Sequence, residues 1–134
     1  MKNQNISVFA AVVCLLIVSV PLAAHHGSAV FDVGKKATMK GTVTEWFWAN
    51  PHCFLKFDVQ DENGQVVHWV AETSNPPDMI NRGWTKYSFK TGDLVTVTLE
   101  PVKNGAPNGR VLQVVLPDGK TLGTGGGGTP APGR

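Results

Sequence analysis

After Lys36, apolar and polar residues alternate with a period of two, and this pattern constrains the fold more than any other feature of the chain. Successive side chains of a β-strand point to opposite faces, so the alternation is typical of strands with one buried face. It predicts five strands, at residues 38–49, 53–60, 66–73, 94–100 and 110–116. We therefore expect an all-β protein.

Proline, asparagine and glycine separate the predicted strands. Asn50-Pro51 interrupts the pattern after the first strand, because proline cannot donate a hydrogen bond to a strand ladder. Asn63-Gly64 favours a hairpin between the second and third strands. Residues 75–83 have the signature of a short helix, in which Asn75 caps the N-terminus and Gly83 adopts the left-handed conformation at the C-terminus.

Three strands, a short helix and two further strands follow one another in the order of the OB-fold, a small Greek-key barrel of five strands. The long first strand suits this fold, since it has to bend around the barrel, and Gly41 is a position where it can bend. We predict a five-stranded OB-like barrel over residues 37–116, with one short helix between strands 3 and 4. Another small β-barrel or a β-sandwich is the alternative.

Residues 1–24 have the composition of a cleavable signal peptide. Lys2 precedes an uncharged apolar run at residues 8–20, and small residues follow at Ala23-Ala24. The run is shorter than the roughly 20 residues that a membrane-spanning helix needs, which makes a retained anchor the less favoured interpretation. We predict cleavage after Ala24 and a periplasmic or secreted mature protein that is not inserted in a membrane.

The two ends of the mature chain differ from the barrel in composition. Residues 25–36 are expected to form an N-terminal arm that folds back onto the barrel through Phe31 and Val33. Residues 117–134 are rich in glycine and proline. Such a segment buries little apolar area, so we predict that it is a disordered tail.

The composition argues against several classes of function. The chain has 12 basic and 10 acidic residues and a formal net charge of +2, without the basic footprint of a nucleic-acid-binding protein. Its carboxylates, Glu100 among them, sit singly on strands where solvated side chains are the default, and neither a nucleophilic serine motif nor a phosphate-binding glycine loop is present. We expect neither nucleic-acid binding nor an enzyme. Cys53, which alternates with Leu55, is expected to be buried.

His25-His26 is the strongest candidate for chemistry. If the mature chain begins at His25, its α-amine and imidazole can chelate one metal ion, and an imidazole of His26, His52 or His68 can complete the site. Nitrogen donors suit Cu(II) above other common divalent ions. We predict a site for copper or another divalent metal at His25, His26 and His52. A solvated chain end that binds no metal is the alternative.

Two of these histidines have competing structural interpretations. Asn50-Pro51 forms a turn that fixes the orientation of His52, whose ring can bind a metal or bond a backbone carbonyl across the turn. If a two-residue turn at Asn63-Gly64 sets the register, His68 pairs with Val59 and faces the core. A buried, hydrogen-bonded His68 is therefore the favoured expectation.

The tryptophans support a rival function. Trp46 and Trp48 are expected on the face of the first strand opposite to Val43 and Phe47. Aromatic pairs on a barrel surface can stack sugars or bases, although they more often cover a loop or helix packed on the barrel. The rival hypothesis is a metal-free module that recognises an envelope polymer or protein through Trp46, Trp48 and Trp84. A purely structural subunit of an envelope complex is a third hypothesis.

A series of motifs also resembles one protein family. In chain order they are His25-His26, Phe31-Asp32, Gly41-Thr42-Val43, Asn50-Pro51-His52, Trp69 with Glu72, Arg82-Gly83-Trp84, and Gly92-Asp93 before Val95-Thr96-Val97. The chain is similar over nearly its whole mature length, to about Gly119, to the small exported bacterial proteins grouped as domain of unknown function 6152. Many of these have His-His-Ser at the mature start, whereas here Gly27 precedes Ser28, which weakens any role for the hydroxyl. The resemblance implies export and a pairing of the His-His and Asn-Pro-His motifs, and it implies no activity.

Overall fold

The computed structural model describes residues 28–125. The predicted signal peptide, His25, His26 and residues 126–134 lie outside the described residues. The elements are a 3₁₀ helix at Ser28–Val30, strands β1 (Ala37–Phe47), β2 (Phe54–Gln60) and β3 (Val66–Glu72), helix α1 (Pro76–Asn81), and strands β4 (Leu94–Pro101), β5 (Asn108–Val115) and β6 (Thr121–Gly123). None of the helices within this range is long and apolar enough to cross a membrane.

Strands β1 to β5 form a closed barrel. The sheet order is β3-β2-β1-β4-β5-β6, and β5 also pairs with β3, which closes the barrel. The closing pair is parallel and short, running from Val70 opposite Asn108 to Glu72 opposite Arg110. Helix α1 lies in the chain between β3 and β4. The predicted all-β, five-stranded OB-like barrel with one short helix is confirmed.

Strand β1 bends around the barrel, pairing with β4 along its first half and with β2 along its second. At Gly41, a β-carbon would lie 2.7 Å from the carbonyl oxygen of Asp58 and 2.8 Å from a ring carbon of Phe57. These separations are too short for non-bonded atoms. Any other residue here would push β1 and β2 apart, so Gly41 is required for the close approach of the strands.

A β-bulge at Thr44 reverses the alternation of side chains in β1. The pairing with β2 shifts by one residue between Val43 and Glu45, and an extra residue in one strand turns all later side chains to the other face. Trp46 therefore packs against the core on the same side as Val43, whereas Phe47 points outward and is 45% exposed. The prediction that Trp46 and Trp48 lie opposite to Val43 is wrong.

The loop between β2 and β3 is longer than the two-residue turn that was expected. Residues 61–65 close it, with the carboxylate of Asp61 accepting the backbone N–H groups of Asn63 and Gln65 at 2.9 and 2.8 Å. The resulting register pairs His68 with Asp58 instead of Val59. The side chain of His68 consequently lies on the outer face and is 79% exposed. The expectation of a core histidine is wrong.

Helix α1 is capped as the sequence predicts. The side chain of Asn75 accepts the N–H of Asp78 at 3.0 Å, and Gly83 adopts a φ of +85° after the last turn. Met79 from the helix and Trp84 from the residues after it are completely buried. The helix and the chain that follows it therefore cover part of the barrel core.

The segment after β5 contributes to the structure as far as residue 125. β6 pairs with β5, and Leu122 packs into the core. Trp84 donates its indole N–H to the carbonyl of Gly123 at 2.8 Å. The disorder predicted from Pro117 onward does not begin there, because one buried leucine and a strand ladder fix a segment whose overall composition is rich in glycine.

Candidate functional site

Trp46, Trp48 and Trp84 form a packed cluster with Phe89. The ring centroid of Trp46 lies 5.8 Å from that of Trp84, 5.1 Å from that of Phe89 and 5.6 Å from that of Trp48. The indole N–H of Trp46 donates to the carbonyl of Thr85 at 3.0 Å. Since Trp84 is fully buried, no ligand can reach it. The three tryptophans join the chain after α1 to the barrel, which was the structural alternative considered for them.

The outer face of β1, β2 and β3 carries a different set of side chains. Strand residues alternate between the inside and the outside of a barrel. The strand pairing therefore places the following residues on this outer face: Glu45, Phe47, Phe54, Lys56, Asp58, His68, Val70 and Glu72. Three of these residues are acidic, and Lys56 is basic, as is Lys40, which also points outward from β1. Lys56 is paired with Glu45, and Asp58 is paired with His68.

His52 lies at the edge of this outer face, in the loop between β1 and β2. Its Nδ1 is 2.9 Å from Oε1 of Glu72 and 3.0 Å from the carbonyl oxygen of Thr73. Both partners are acceptors, so Nδ1 carries the hydrogen and, in the neutral ring, Nε2 keeps its lone pair. The side chain of His52 is 47% exposed. The hydrogen bond to a backbone carbonyl, expected as the structural interpretation, is present together with a carboxylate partner.

The backbone next to His52 is held in place by β3 and its extension. Cys53 donates its N–H to the carbonyl of Ser74 at 3.0 Å and accepts the N–H of Thr73 at 2.9 Å. The hydroxyl of the buried Thr73 donates to the same carbonyl of Cys53 at 3.1 Å. These bonds fix the residue after His52, and they bring the carboxylate of Glu72 next to the imidazole.

Cys53 is completely buried, as predicted. Burial raises the pKa of its thiol, although hydrogen bonds from its surroundings oppose this shift. A thiol with a raised pKa stays protonated at neutral pH, and a protonated thiol is a poor nucleophile and a poor metal ligand. Cys53 is therefore a structural neighbour of His52 and not a second reactive group.

The N-terminal arm docks on the end of the β4–β5 hairpin. Phe31 pairs with Val102 in an isolated bridge and is buried, while Asp32 donates its N–H to the carbonyl of Pro101 at 2.8 Å. Lys103 donates its N–H to the carbonyl of Val30 at 3.1 Å. Val33, the other residue expected to dock the arm, is 60% exposed. The arm is thus anchored by Phe31 and by backbone hydrogen bonds.

A buried carboxylate strengthens this anchor. Glu100 is only 6% exposed, accepts the N–H of Gly34 at 3.1 Å and forms an ion pair with Arg110. The guanidinium of Arg110 in turn lies over the ring of Phe31, 5.3 Å from its centroid. The N–H of Gly34 and the side chain of Arg110 lower the pKa of Glu100 below its ordinary value. The sequence pattern does not reveal this role, since it treats Glu100 as one more solvated carboxylate.

The arm and the outer face together enclose a cleft of about 300 Å³. Its lining residues are Val30, Phe31, Phe54, Val70, Glu72, Val102, Asn108 and Gly109. Val30 and Phe31 come from the arm, and Glu72 is the carboxylate that binds His52. Val30 and Phe31 of the arm therefore line the same cleft as the carboxylate that lies next to His52.

The structure brings together only some of the predicted site residues. Within residues 28–125, no group of three or more His, Cys, Asp or Glu side chains is arranged to hold a metal ion. His52 and His68 have separate carboxylate partners, Glu72 and Asp58. Sequence reasoning had not singled out the carboxyl group of Glu72 as a partner of His52. The register that places Glu72 opposite Phe54, two residues after His52, could have indicated it.

One comparison with known proteins gives a match. The model of a family described as a family of unknown function, DUF6152, matches residues 11–111. No curated protein and no solved structure matches the chain. The matched range includes His25, His26, His52 and Glu72, and it covers the barrel up to Val111 in β5.

Proposed function

The chain belongs to DUF6152, a family of unknown function, and we propose that this protein is an exported OB-like module that binds copper or another divalent metal. The proposed ligands are the α-amine and imidazole of His25 and the imidazoles of His26 and His52. The proposal is carried by the geometry of His52, whose Nδ1 donates to the carbonyl of Thr73 next to the carboxylate of Glu72, while Nε2 is left with its lone pair in the neutral ring.

This geometry is the one that metal-binding histidines use. A histidine that ligates a metal through one ring nitrogen almost always donates its other N–H to a carboxylate or a backbone carbonyl, which fixes the tautomer and makes the ligand more basic. His52 Nδ1 donates to the backbone carbonyl of Thr73 at 3.0 Å and lies 2.9 Å from a carboxylate oxygen of Glu72. An imidazole held in this way loses little side-chain freedom when it binds a ligand.

The docked arm supports the participation of His25 and His26. Val30 lines the same cleft as Glu72, and His25 precedes Val30 by five residues. Since residues 28–30 form a 3₁₀ helix, only the three residues before Ser28 can be extended, and they span up to about 10 Å. Because the arm is anchored at Phe31, this length limits how far His25 and His26 can lie from Val30.

The location and charge of the site also favour a cation. OB-fold barrels bind ligands on the face of strands 2 and 3, between the loops that join strands 1 to 2 and 4 to 5. His52 lies in the first of these loops, while Val102 and Asn108 flank the second. Glu45 is paired with Lys56, whereas the carboxylate of Glu72 lies next to His52 and attracts a cation to this position. Since the donors include an amine that must lose its proton, binding is expected to weaken in acid.

Native mass spectrometry tests the proposal. The protein is secreted through its own signal, purified without a tag, and titrated with Cu(II) and Zn(II). We expect a mass that begins at His25 and one bound metal ion, which a chelator removes. His25→Ala and His52→Ala should each weaken copper binding at least about tenfold, as expected for the loss of a nitrogen ligand. His68→Ala is the matched control, since His68 is an exposed histidine with its own carboxylate partner, and it should bind copper as the unmodified protein does.

Two results contradict the proposal. One is a terminus that does not begin at His25. The other is a His25 form that takes up no copper, or that takes it up equally well after replacement of His25 or of His52.

A further inference from the structure

We propose that the cleft between the arm and the outer face of the barrel binds a small organic cation, in which an ammonium group is attached to an apolar body, and that Glu72 pairs with the ammonium group. Every residue that lines the cleft lies within residues 28–125. The site therefore requires neither a bound metal ion nor a particular N-terminus, and it is distinct from the proposed metal ligands.

The walls of the cleft are mostly apolar and are fixed by backbone contacts. Val30 and Phe31 come from the arm, Phe54 from β2, Val70 from β3 and Val102 from the chain after β4. Phe31 and Val102 form a β-bridge, and the N–H of Val70 donates to the chain before β5 at 3.1 Å. Covering apolar surface is favourable, and a cleft with fixed walls loses little conformational freedom when a ligand binds.

The cleft has room for one ring and a short chain. Its volume is about 300 Å³, which is at the lower end of the range for small-molecule sites. An apolar cavity of about 150 Å³ is sufficient to hold benzene, so the remaining space can accommodate a short chain that carries an amine. The volume therefore favours a ligand of the size of 2-phenylethylamine over a polymer or a larger molecule.

Glu72 determines the charge that the ligand should have. Its side chain is 32% exposed, and no lysine or arginine within residues 28–125 forms an ion pair with it. Arg110, which lies opposite Glu72 in the strand pairing, has its guanidinium bound to Glu100. The ring of His52 lies next to Glu72 but donates to a backbone carbonyl. A carboxylate that is partly removed from water and lacks a strong cationic partner favours a ligand that supplies one.

The other carboxylates on the outer face of β1, β2 and β3 do not share this position. Glu45 pairs with Lys56, and Asp58 lies 2.6 Å from Nδ1 of His68. Neither carboxylate lines the cleft. Among the residues of this face, apolar surface and an available carboxylate therefore meet only at Glu72, and this combination selects a cation with an apolar body.

A titration followed by NMR tests the proposal in metal-free protein. The protein secreted through its own signal is labelled with ¹⁵N, freed of metal by a chelator and titrated at pH 7 and low salt with 2-phenylethylamine or with 2-phenylethanol, its neutral analogue. We expect the amine to shift the backbone amide signals of Val70, Glu72 and Gly109 with a Kd on the order of 1 mM. The alcohol should bind about threefold to tenfold more weakly, as expected without a partly exposed ion pair.

Two variants test the role of charge. Glu72→Gln keeps the size of the side chain and removes its charge, so it should weaken binding of the amine about threefold to tenfold and leave binding of the alcohol unchanged. Asp58→Asn is the matched control, since Asp58 lies on the same face but outside the cleft. It should leave the affinity for both compounds unchanged.

Two further variants test the position of the ligand. Val70→Phe fills the cleft and leaves Glu72 in place, so it should abolish the shifts caused by the amine and by the alcohol alike. Val66→Phe is its control, because Val66 is 51% exposed on the same face of β3 and does not line the cleft. The NMR spectrum of each variant without ligand establishes that it is folded.

Several results overturn the inference. They are the absence of saturable shifts at the cleft, equal affinities for the amine and the alcohol, and an affinity for the amine that Glu72→Gln or Val70→Phe leaves unchanged. An equal loss in Asp58→Asn and Glu72→Gln also overturns it, since this would indicate attraction of the amine to the whole outer face.

These outcomes are separate from those of the copper titrations. Binding of the amine that depends on Glu72 and Val70 supports the cleft as a site for an organic cation even if no copper is taken up. Copper uptake that requires His25 and His52 supports the proposed function even if the amine does not bind.

Discussion

The tryptophan cluster and the His52 region use polar groups in opposite ways. In the cluster, the indole N–H of Trp84 is bonded to Gly123 and that of Trp46 to Thr85, and Trp84 is inaccessible to solvent. In the His52 region, one ring nitrogen is hydrogen-bonded to the carbonyl of Thr73 beside the carboxylate of Glu72, while the side chain remains about half exposed. The polar groups of the tryptophan cluster are therefore satisfied within the barrel. In the His52 region, by contrast, Nε2 of His52 has no hydrogen-bond partner among the described residues.

This difference shows which residues of a small barrel are informative about function. The abundant aromatic residues attract attention in the sequence, but their rings are used to fix α1 and the chain after it to the barrel. The sparse polar residues near the β1–β2 loop contribute less to the core, and a fixed imidazole with an exposed side is a property that packing does not require. We therefore expect stability to depend mainly on the tryptophan cluster and ligand binding on the His52 region.

The largest effect is expected from Trp84→Ala. Removing a fully buried tryptophan leaves a cavity and typically costs about 3–5 kcal/mol of unfolding free energy. The indole hydrogen bond to Gly123, which helps to fix β6, is lost as well. Urea denaturation of the metal-free protein measures the change. Phe47→Ala, an outward-facing aromatic residue on β1, is the control, and it should cost under about 1 kcal/mol because surface changes are small. Similar losses of unfolding free energy for the two variants would contradict the assignment of stability to the tryptophan cluster.

The strand order and the helix could be predicted from the sequence, but the faces to which particular side chains point could not. The period-two alternation and the turn residues were sufficient for the strand order and the helix, since strands with one buried face must show that pattern. The bulge at Thr44 cannot be recognised in the sequence, because threonine is also common in regular strands. The loop at residues 61–65 depends on the side chain of Asp61, which competes with the turn that Asn63-Gly64 favours alone. The bulge placed Trp46, and the loop placed His68, on the face opposite to the one predicted.

The candidate site could be predicted in part. His52 was recognisable because Asn50-Pro51 marks a rigid turn before it. Its partner Glu72 belongs to another strand, and strand pairing is a long-range property that local patterns do not contain. The docking of the arm through Glu100 was missed for the same reason, since Gly34 and Glu100 are 66 residues apart in the sequence.

The next largest effect is expected on metal affinity and not on stability. Glu72→Gln keeps the size of the side chain and removes its charge, so the barrel should remain folded. Loss of such a partner of a metal-binding histidine typically lowers metal affinity by about 10- to 100-fold. Competition titration of copper against a chelator of known affinity measures this change. An unchanged copper affinity in Glu72→Gln would contradict a role of Glu72 and His52 in metal binding.

A smaller effect on stability is expected for Glu100→Gln. The carboxylate of Glu100 binds Gly34 and Arg110, and a hydrogen bond to a charged group contributes about 1.5–3 kcal/mol. Because Arg110 is partly exposed, we expect a loss of about 1–2 kcal/mol at neutral pH. Urea denaturation measures it, and protease cleavage near Phe31 reports whether the arm has been released.

The same variant should respond to pH with a defined sign. The pKa of Glu100 is lowered in the folded protein, so the ionised side chain stabilises the fold above the ordinary pKa of an unfolded glutamate. This contribution is lost as the pH falls through the lowered pKa. The difference in unfolding free energy between the unmodified protein and Glu100→Gln should therefore be constant at neutral pH and disappear in acid. A difference that grows in acid would contradict the assignment.

The smallest effect is expected for the pair Asp58 and His68, which resembles Glu72 and His52 in its contacts but not in its surroundings. Nδ1 of His68 lies 2.6 Å from Oδ1 of Asp58, so its Nε2 is presented in the same way as that of His52. Neither residue lines the cleft with the arm, and exposed ion pairs contribute little. His68→Ala should change unfolding free energy by less than about 0.5 kcal/mol and leave copper affinity unchanged. Isothermal titration with Cu(II) and urea denaturation measure the two quantities. If His68→Ala weakens copper binding as much as His52→Ala does, a carboxylate-held imidazole is sufficient for binding on this face, and proximity to the arm is not what distinguishes His52.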